Sequence, residues 1–513
     1  MSGPPAEVEG FDDRSAEPGV WLYVRADRVR VIVDAADYFD LMQQAMLAAR
    51  RRVLLIGWDF DTRIHLTRGR RWWQKLTHRR EYPARLGSFV LWLNARRPQL
   101  EVRILKWGIG FTKFLGRGSM LVDLARWFPH RRIDFKFDTA HPVACSHHQK
   151  IAVIDNRLAV CGGIDMTDRR WDTREHREDD PRRKRPRGEP YGPWHDITMM
   201  MEGPVAETLE RLGRERWIRA GGKPLRPLPK SAETPWPEGL APQFENVEIG
   251  IARTRAEYDG CPAVKEIEEL FRLHIARAKR FIYAENQYFA SRVIAEAIAA
   301  RLAEPDPPEI VLVQPASAEG WVEAKAMDPA RARLVTALRA LDHAGRFHVY
   351  TPYTGETPIY VHAKLMVVDD EVLRIGSANF NNRSLGLDSE CDVFIDCARP
   401  ANRDCGAAIR ALRHSLLAEH CGIAEEEIAA RLDGAGSMAA LIEQAGKGGG
   451  TRTLRRFEPE EVGELEGGLA DLAVLDPEEP AEMFEFSGGR RGLFRRGGLL
   501  ARAITRLDRK HPR

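Results

Sequence analysis

A motif that occurs twice constrains this 513-residue chain more than any other feature. Each copy has a histidine, a lysine two positions later, an aspartate five positions after the lysine, and then a glycine-containing turn. The copies lie 214 positions apart without a gap, and their members are His148, Lys150, Asp155 and Gly162, then His362, Lys364, Asp369 and Gly376. Such internal repetition predicts two similar halves, each supplying one histidine and one lysine.

Each motif leads into an apolar run, 151–154 or 365–368, which predicts a buried strand. Side chains two positions apart on a strand point to the same face, so each histidine shares a face with its lysine. If the halves meet face to face, two imidazoles and two ammonium groups converge. A neutral imidazole can then attack phosphorus while a protonated one gives its proton to the leaving oxygen. The ammonium groups can neutralise the non-bridging oxygens, so the repeat indicates phosphodiester chemistry.

The repeat resembles the HKD signature of the phospholipase D superfamily, and the resemblance extends over about residues 20–420. Other segments share it, namely Arg170–Asp172, Gly192–Asp196, Ile282–Phe289, Asn382–Ser384 and Glu390. The pattern is most like phospholipases D of the eukaryotic and bacterial types. The resemblance implies an α/β fold of two similar α/β/α sandwich domains, related by a pseudo-twofold axis, with the active site at their interface.

The order of predicted elements agrees with two α/β halves, since a helix followed by an apolar strand begins both of them. Six prolines between residues 221 and 242 predict a linker, because proline interrupts helices and strand ladders. The expected organisation is a flexible N-terminus (1–19), a first domain (20–221), a proline-rich linker (222–242), a second domain (243–422) and a C-terminal extension with a basic amphipathic end (423–513).

The resemblance implies roles for the repeated residues. His148 is the nucleophile that forms a phosphohistidine, and His362 is the general acid that protonates the departing alcohol and later activates the incoming water or alcohol. Lys150 and Lys364 bind the phosphoryl oxygens. The symmetry of the repeat does not by itself decide which histidine attacks.

Other polar residues belong to the two signatures. Asn379 and Asp165 occupy one position of the repeat; the amide can donate to phosphate, whereas the carboxylate would repel it and favours the comparison with phospholipases D over cardiolipin synthases. Ser377 can tune the second half. Asp155 and Asp369 lie five positions after their lysines, an odd separation that turns them from the site face of a regular strand. A turn-closing role is therefore favoured for them over direct catalysis.

Two carboxylates are candidates for orienting the imidazoles. Asp196 and Glu390 can each accept from a histidine Nδ1, which sets the tautomer and stabilises the charged ring, but the sequence leaves open which acid serves which histidine. Glu285, Asn286 and Gln287 end a predicted strand and are candidates for lining the substrate pocket. Local hydrogen bonding at the strand end is the alternative for these three. The resemblance implies no metal and no other cofactor.

Charge is dense but balanced, with 78 basic and 75 acidic residues and a net charge of +3. No overall field therefore favours a nucleic-acid partner. Seven scattered cysteines do not form a disulfide framework and are expected to be free thiols. The charged segment 168–189 is expected to be a solvated loop.

A membrane surface is the expected partner. The chain shows neither a secretory signal nor an apolar run long enough to cross a bilayer, so we expect a cytoplasmic protein that is peripheral at the membrane, with export without an N-terminal signal left open. The aromatic and basic stretches 68–80 and 107–114 fit a membrane interface or partly buried connecting segments. Residues 490–513 fit an amphipathic surface helix or a disordered or packed extension.

These observations predict a phospholipase D, an enzyme that hydrolyses a glycerophospholipid to phosphatidate and a free alcohol through a phosphohistidine. An alcohol acceptor in place of water would give transphosphatidylation. The alternatives are a cardiolipin synthase-like phosphatidyltransferase, an HKD phosphodiesterase acting on nucleic acid, and a non-enzymatic lipid-binding module. The expected partners are a phospholipid membrane or micelle and a water or alcohol acceptor, and the chain is expected to be a monomer.

Overall fold

A computed structural model of the chain describes residues 17–67, 82–108, 118–143, 145–229, 233–319 and 321–459. The first half contains β1 (Leu22–Val33), α1 (Ala35–Ala48), β2 (Arg52–Gly57), α2 (Leu86–Arg96), β3 (Glu101–Trp107), α3 (Gly118–Trp127), β4 (Ile133–Asp138), β5 (Ile151–Ile154), β6 (Leu158–Gly162), β7 (Trp194–His195), β8 (Ile197–Glu202) and α4 (Pro204–Arg219).

The second half repeats this order with additions. It contains β9 (Phe244–Arg255), β10 (Val264–Lys265), α5 (Glu266–Arg277), β11 (Phe281–Asn286), α6 (Arg292–Leu302), β12 (Glu309–Val313), α7 (Trp321–Leu341), β13 (Phe347–Thr354), β14 (Thr357–Pro358), β15 (Tyr360–Val361), β16 (Lys364–Val368), β17 (Val372–Gly376), α8 (Asn382–Gly386), β18 (Glu390–Asp396), a 3-10 turn (Pro400–Asn402), α9 (Gly406–Cys421), α10 (Glu425–Ala435), α11 (Met438–Lys447) and β19 (Arg452–Arg456).

Strand pairing relates the halves by a pseudo-twofold axis. In the first half the hydrogen-bonded order is β4-β3-β2-β5-β6-β8-β1, with β2, β3 and β4 parallel. In the second it is β13-β12-β11-β16-β17-β18-β9, with β11, β12 and β13 parallel. The antiparallel pair of β1 and β9 joins them into one sheet. The prediction of an α/β protein with two similar halves is confirmed.

The core explains why the motif strands are continuously apolar. All residues of β5 and β16 are buried, because helices cover the sheet on both faces. Side chains of both strands belong to one buried cluster with α4 and α9. The motif strands of the two halves therefore share a packed interior, and the residues just before them are brought together.

Three segments differ from their expected character. The linker contributes Trp236, which is buried, and the Arg226 carbonyl, which accepts from Arg52. A separate extension is expected from residue 423, but α10 and α11 pack on α9, and β19 pairs with the edge strand β13. The segment 168–189 is not simply solvated, because Arg183 and His176 are buried and charged groups inside the protein pair with them.

Some expectations concern residues that the structure does not describe, including residues 68–80 and 490–513 and most of 107–114. All seven cysteines are described and are free thiols. Among the described helices, none combines the length and the apolar composition that crossing a bilayer requires.

Candidate active site

The two motif histidines lie where the halves exchange backbone hydrogen bonds. The amide of His148, just before β5, donates to the carbonyl of Ser389 at 2.9 Å. The amide of His362, just before β16, donates to the carbonyl of His195 at 2.8 Å. Each histidine is thus held by the residue that precedes a carboxylate of the opposite half. The pseudo-twofold axis therefore applies to the site as well as to the sheet.

The carboxylates that face the imidazoles cross between the halves. Glu390 of the second half accepts from His148 Nδ1 at 2.9 Å, and Asp196 of the first half accepts from His362 Nδ1 at 2.7 Å. Both acids are fully buried. With Nδ1 engaged in this way, each ring presents Nε2 for chemistry. The assignment that the sequence left open is thereby made by the structure.

Neighbouring side chains hold the two carboxylates in place. The hydroxyls of Ser377 and Ser384 donate to Glu390, one to each carboxylate oxygen. On the other side, a Cβ added at Gly163 would lie 2.1 Å from Oδ1 of Asp196. Glycine at this signature position therefore lets the carboxylate approach the turn closely enough to reach His362.

Both motif lysines are buried and turned back onto the backbone of their histidines. Lys150 Nζ donates to the carbonyl of His148 at 2.8 Å and lies 3.5 Å from Asp165 Oδ2. Lys364 Nζ donates to the carbonyl of His362 and, at 2.9 Å, to Oε1 of Gln287. Gln287 thus contacts the site through Lys364.

Burial and the charges of the lysines shift the pKa values of the ionisable groups in the site. Burial lowers the pKa of His148 well below its usual value, and Lys150 and Lys364 lower it further. Burial, Lys364 and Arg170 lower the pKa of His362 in the same way. Burial also lowers the pKa of Lys364 to about 7 and raises the pKa of Glu390 to about 8. Because Lys364 acts on His148 across the halves, the two motifs form one electrostatic unit.

Arg170 is a site residue to which the sequence assigned no role. Its guanidinium stacks 4.2 Å from the ring centre of Trp194, whose ring lies 5.3 Å from that of His362. Arg170 is buried, so it adds a third positive group beside the lysines. The signal was present, since Arg170–Asp172 resembles a superfamily segment, but only the fold brings this segment to the second histidine.

Two family models match parts of the second half of the chain. The family model described as "Phospholipase D" matches residues 350–470. The model described as "Cardiolipin synthase, PLD-like domain" matches residues 272–405. The chain belongs to the phospholipase D superfamily. It therefore shares this family with the curated relatives that follow.

Phospholipase D alpha 1 of Arabidopsis thaliana is 26% identical over 400 residues, covering 55% of this chain and 49% of that protein. Phospholipase D alpha 4 of the same plant is 24% identical over 496 residues, covering 76% of this chain and 64% of that protein. The chain spans about half the length of most of the curated relatives it matches.

Two solved structures are also similar to this superfamily member. The phosphatidylserine synthase of Haemophilus influenzae Rd KW20 has 11% sequence identity and a TM-score of 0.48, covering 77% of this chain and 87% of its own. The polyphosphate kinase of Porphyromonas gingivalis has 10% identity and a TM-score of 0.40, covering 76% of this chain and 50% of its own.

The signature aspartates lie away from the imidazoles. The carboxylate of Asp155 accepts from three consecutive backbone amides, those of residues 50–52, at 2.6 to 2.8 Å. The carboxylate of Asp369 accepts from the amides of residues 279–281 at 2.7 to 2.8 Å. Both residues have positive φ, 53° and 56°. The expectation that Asp155 and Asp369 belong with the catalytic residues is therefore corrected. Each of them joins the turn after its motif strand to the start of a neighbouring strand.

The remaining candidates divide between the site and its surroundings. Glu285 does not line the pocket, because its carboxylate is buried between His195 and His420. Asn286 does not line it either, since its side-chain oxygen accepts from the Phe380 amide at 3.0 Å. Asn379 is buried, and its side-chain oxygen has no hydrogen-bond partner among the described residues.

Two stacked aromatic rings lie beside His148. Trp58 lies edge-on to His148 with ring centres 6.4 Å apart, and Trp107 stacks on Trp58 at 5.7 Å. The indole of Trp107 donates to His141 at 3.1 Å. Two residues further along the chain, Val143 is 75% exposed. The nucleophile candidate therefore has a pair of stacked tryptophan rings beside it.

Proposed function

We propose that the protein is a phospholipase D that hydrolyses glycerophospholipids to phosphatidate and the free headgroup alcohol. The observation that carries the proposal is the pair of crossed histidine–carboxylate contacts, His148 with Glu390 and His362 with Asp196, in one chain. Such a pair supplies a nucleophile and a proton donor on opposite sides of one phosphorus atom.

In the first step, Nε2 of His148 attacks phosphorus and the bond from phosphorus to the headgroup oxygen breaks. The proton on Nε2 of His362 passes to that oxygen, and the alcohol leaves. The products are a phosphatidyl group on His148 and a neutral His362. The choice of His148 as nucleophile rests on the resemblance to the superfamily.

In the second step, His362 takes a proton from water as the water oxygen attacks phosphorus. The bond from phosphorus to His148 breaks, phosphatidate leaves, and His362 is again protonated. An alcohol that occupies the position of the water gives a new phosphodiester, which is transphosphatidylation. The first step removes the proton that His362 carries, and the second step restores it.

Positive groups hold the phosphate through both steps. Lys150, Lys364 and Arg170 are buried around the imidazoles, so they act in a medium of low dielectric where electrostatic stabilisation is strong. Asn379 can donate its amide to a non-bridging oxygen. The negative charge of a bound phosphodiester offsets the repulsion among these cations. It raises the pKa of Lys364 and of His362 and so favours their protonated forms in the complex.

A lipid substrate at a membrane surface suits the stacked rings of Trp58 and Trp107 beside His148 and the exposed side chain of Val143. Tryptophan is favoured where an apolar phase meets water. We therefore propose a peripheral location at the membrane, reached from the aqueous side.

A cardiolipin synthase-like phosphatidyltransferase is the second candidate, favoured by the match of residues 272–405 to the model of that description. The two candidates share the first step and differ in the acceptor. The hydrolase uses water, and the transferase uses the hydroxyl of a second lipid such as phosphatidylglycerol.

The test measures choline and phosphatidate released from phosphatidylcholine in mixed micelles without added divalent cation. His148→Asn and His362→Asn are compared with His343→Asn, a control at an exposed histidine. Release by wild type and the control, and its loss in both site variants, is expected. Cardiolipin from phosphatidylglycerol without choline release would assign the transferase. Turnover of only nucleic-acid phosphodiesters, or release unaffected in the site variants, would refute the proposal.

A further inference from the structure

A second group of histidines and carboxylates lies inside the protein, apart from the phosphodiester site. Its members come from four separate elements and are all at most 4% exposed: Asp34, His176, His195 and Glu419. Asp34 precedes α1, His176 lies in the segment between β6 and β7, His195 ends β7, and Glu419 is near the end of α9. Neither step of the proposed mechanism uses them.

The facing atoms are spaced as ligands of one ion would be. His176 Nε2 lies 3.1 Å from Glu419 Oε1 and 3.3 Å from Asp34 Oδ2. His195 Nδ1 lies 3.0 Å from Glu419 Oε1 and 3.2 Å from Asp34 Oδ1. Tetrahedral Zn²⁺ with nitrogen and oxygen ligands at about 2.0–2.1 Å separates those ligands by roughly 3.3 Å.

Two buried atoms aimed into this cluster have no hydrogen bond among the described residues. They are Nδ1 of His195 and Oδ2 of Asp34. Although Nδ1 of His195 lies close to two carboxylates, its geometry makes a hydrogen bond with neither. A buried polar atom without a partner destabilises the fold, so a ligand between these atoms would remove that cost.

The outer nitrogen of each histidine is already engaged by another carboxylate. His176 Nδ1 lies 3.0 Å from Asp172 Oδ2, and His195 Nε2 lies 2.7 Å from Glu285 Oε2. A carboxylate that accepts the outer N–H leaves the lone pair of the inner nitrogen facing the cluster, as metal-ligating histidines typically require. This arrangement also gives Glu285 a role that does not involve substrate.

We propose that Asp34, His176, His195 and Glu419 bind one divalent cation of the zinc class, as a closed structural site. Two imidazole nitrogens with two carboxylate oxygens suit Zn²⁺, and the two carboxylates balance its charge. The ion would connect the first half to α9, which packs in the interior that both halves share.

Backbone hydrogen bonds also connect the proposed site to the phosphodiester site, one of them through Asp196. The backbone amide of Asp196 donates to Asp34 Oδ1 at 3.1 Å, and the amide of Asp34 donates to the Asp196 carbonyl at 2.8 Å. Asp196 in turn accepts from His362. Metal bound at Asp34 would therefore hold the carboxylate that orients the second imidazole.

The experiment measures metal in the full chain by inductively coupled plasma mass spectrometry, after purification without a polyhistidine tag or chelator. About one zinc per chain is expected, and X-ray absorption should show only nitrogen and oxygen ligands at about 2.0 Å. His176→Gln and Asp34→Asn should each lose most of the metal. His274→Gln is the control, because His274 is also buried but lies on α5, outside the cluster.

A second measurement does not depend on the folding of any variant. Wild-type protein is refolded with zinc and with a chelator, and the two thermal midpoints are compared. A higher midpoint with zinc supports the site. A metal-free wild type with identical midpoints would overturn it and would mean that protonated imidazoles satisfy the carboxylates. Neither readout uses lipid turnover, so the outcome is independent of the proposed phospholipase activity.

Discussion

Replacing Glu390 by glutamine tests the crossed pairing most directly. The carboxylate accepts hydrogen bonds from His148 Nδ1 and from the hydroxyls of Ser377 and Ser384. A glutamine amide offers one oxygen, so it cannot accept from all three. Its NH₂ group would donate to Nδ1 of His148 and move the ring proton to Nε2, the atom that must attack.

The magnitude follows from two losses. Above about pH 8, where the Glu390 carboxylate is ionised, a hydrogen bond to this charged group contributes about 1.5–3 kcal/mol, which corresponds to roughly a 10- to 150-fold loss in rate. The wrong tautomer adds to this, and the equivalent aspartate-to-asparagine change in a catalytic triad costs about 10⁴ in kcat. We therefore expect Glu390→Gln to lower kcat by about 10²–10⁴.

The stability of Glu390→Gln should not fall together with its kcat. Burial raises the pKa of Glu390 to about 8, so folding at neutral pH carries the cost of protonating a group that is ionised in the unfolded chain, and the neutral amide removes that cost. The control is Glu309→Gln at another buried glutamate, whose carboxylate accepts from the amides of Met438 and Ala439. That variant should lose about 1 kcal/mol of stability and keep its kcat.

The assay is phosphatidate release at saturating phosphatidylcholine, with thermal midpoints measured on the same preparations. A Glu390→Gln enzyme that keeps more than a tenth of wild-type kcat would refute the positioning role of this carboxylate. Equal losses of kcat in Glu390→Gln and Glu309→Gln would show that the effect is a general consequence of altering a buried glutamate.

Three further outcomes are expected. Competitive inhibition by sulfate should weaken up to tenfold per pH unit above about 7, because burial lowers the pKa of Lys364 to about 7 and the charged form binds the anion. Lys364→Met should abolish this pH dependence. A wild-type inhibition constant that does not change with pH would contradict the role of Lys364 in anion binding. Asp155→Ala should lower the free energy of unfolding by about 3–5 kcal/mol in urea titrations, because three backbone amides lose their acceptor, while kcat per folded molecule stays unchanged. Gly163→Ala should lower kcat at least tenfold, because the added Cβ would displace the Asp196 carboxylate. Wild-type activity in this variant would show that the backbone of the turn shifts and Asp196 keeps its position.

The positions of the signature aspartates could be predicted from local pattern alone. An odd separation along a strand turns Asp155 and Asp369 away from the face that carries the lysines, and the structure places both at backbone amides beyond the strand. The alternation of side chains between the two faces of a strand depends only on position along the strand, so it can be predicted from the sequence. Which face of the sheet then meets the substrate is not local. Glu285 illustrates this, since its position at a strand end was visible but its direction towards buried histidines was not.

The segment 168–189 shows a different limit. Its high charge indicated a solvated loop, yet His176 is fully buried and Arg183 nearly so. Charged side chains are buried only where they pair with groups of opposite charge, because removing an unpaired charge from water is costly. Those partners include Asp34 and Glu419, which lie far away in the chain, so composition within the segment could not reveal them.

The sequence by itself determined that the chain has two halves and that each contributes a histidine, a lysine and an aspartate at fixed spacing. These features depend on neighbours along the chain, where periodicity and turn chemistry act. The tertiary structure alone decided that Glu390 serves His148 and Asp196 serves His362, in pairs 242 and 166 positions apart. It also decided that Arg170 joins the phosphodiester site and that a second group of histidines and carboxylates meets inside. Such contacts arise only when distant elements pack, because the energy of burying a charge depends on the whole surroundings and not on the adjoining residues.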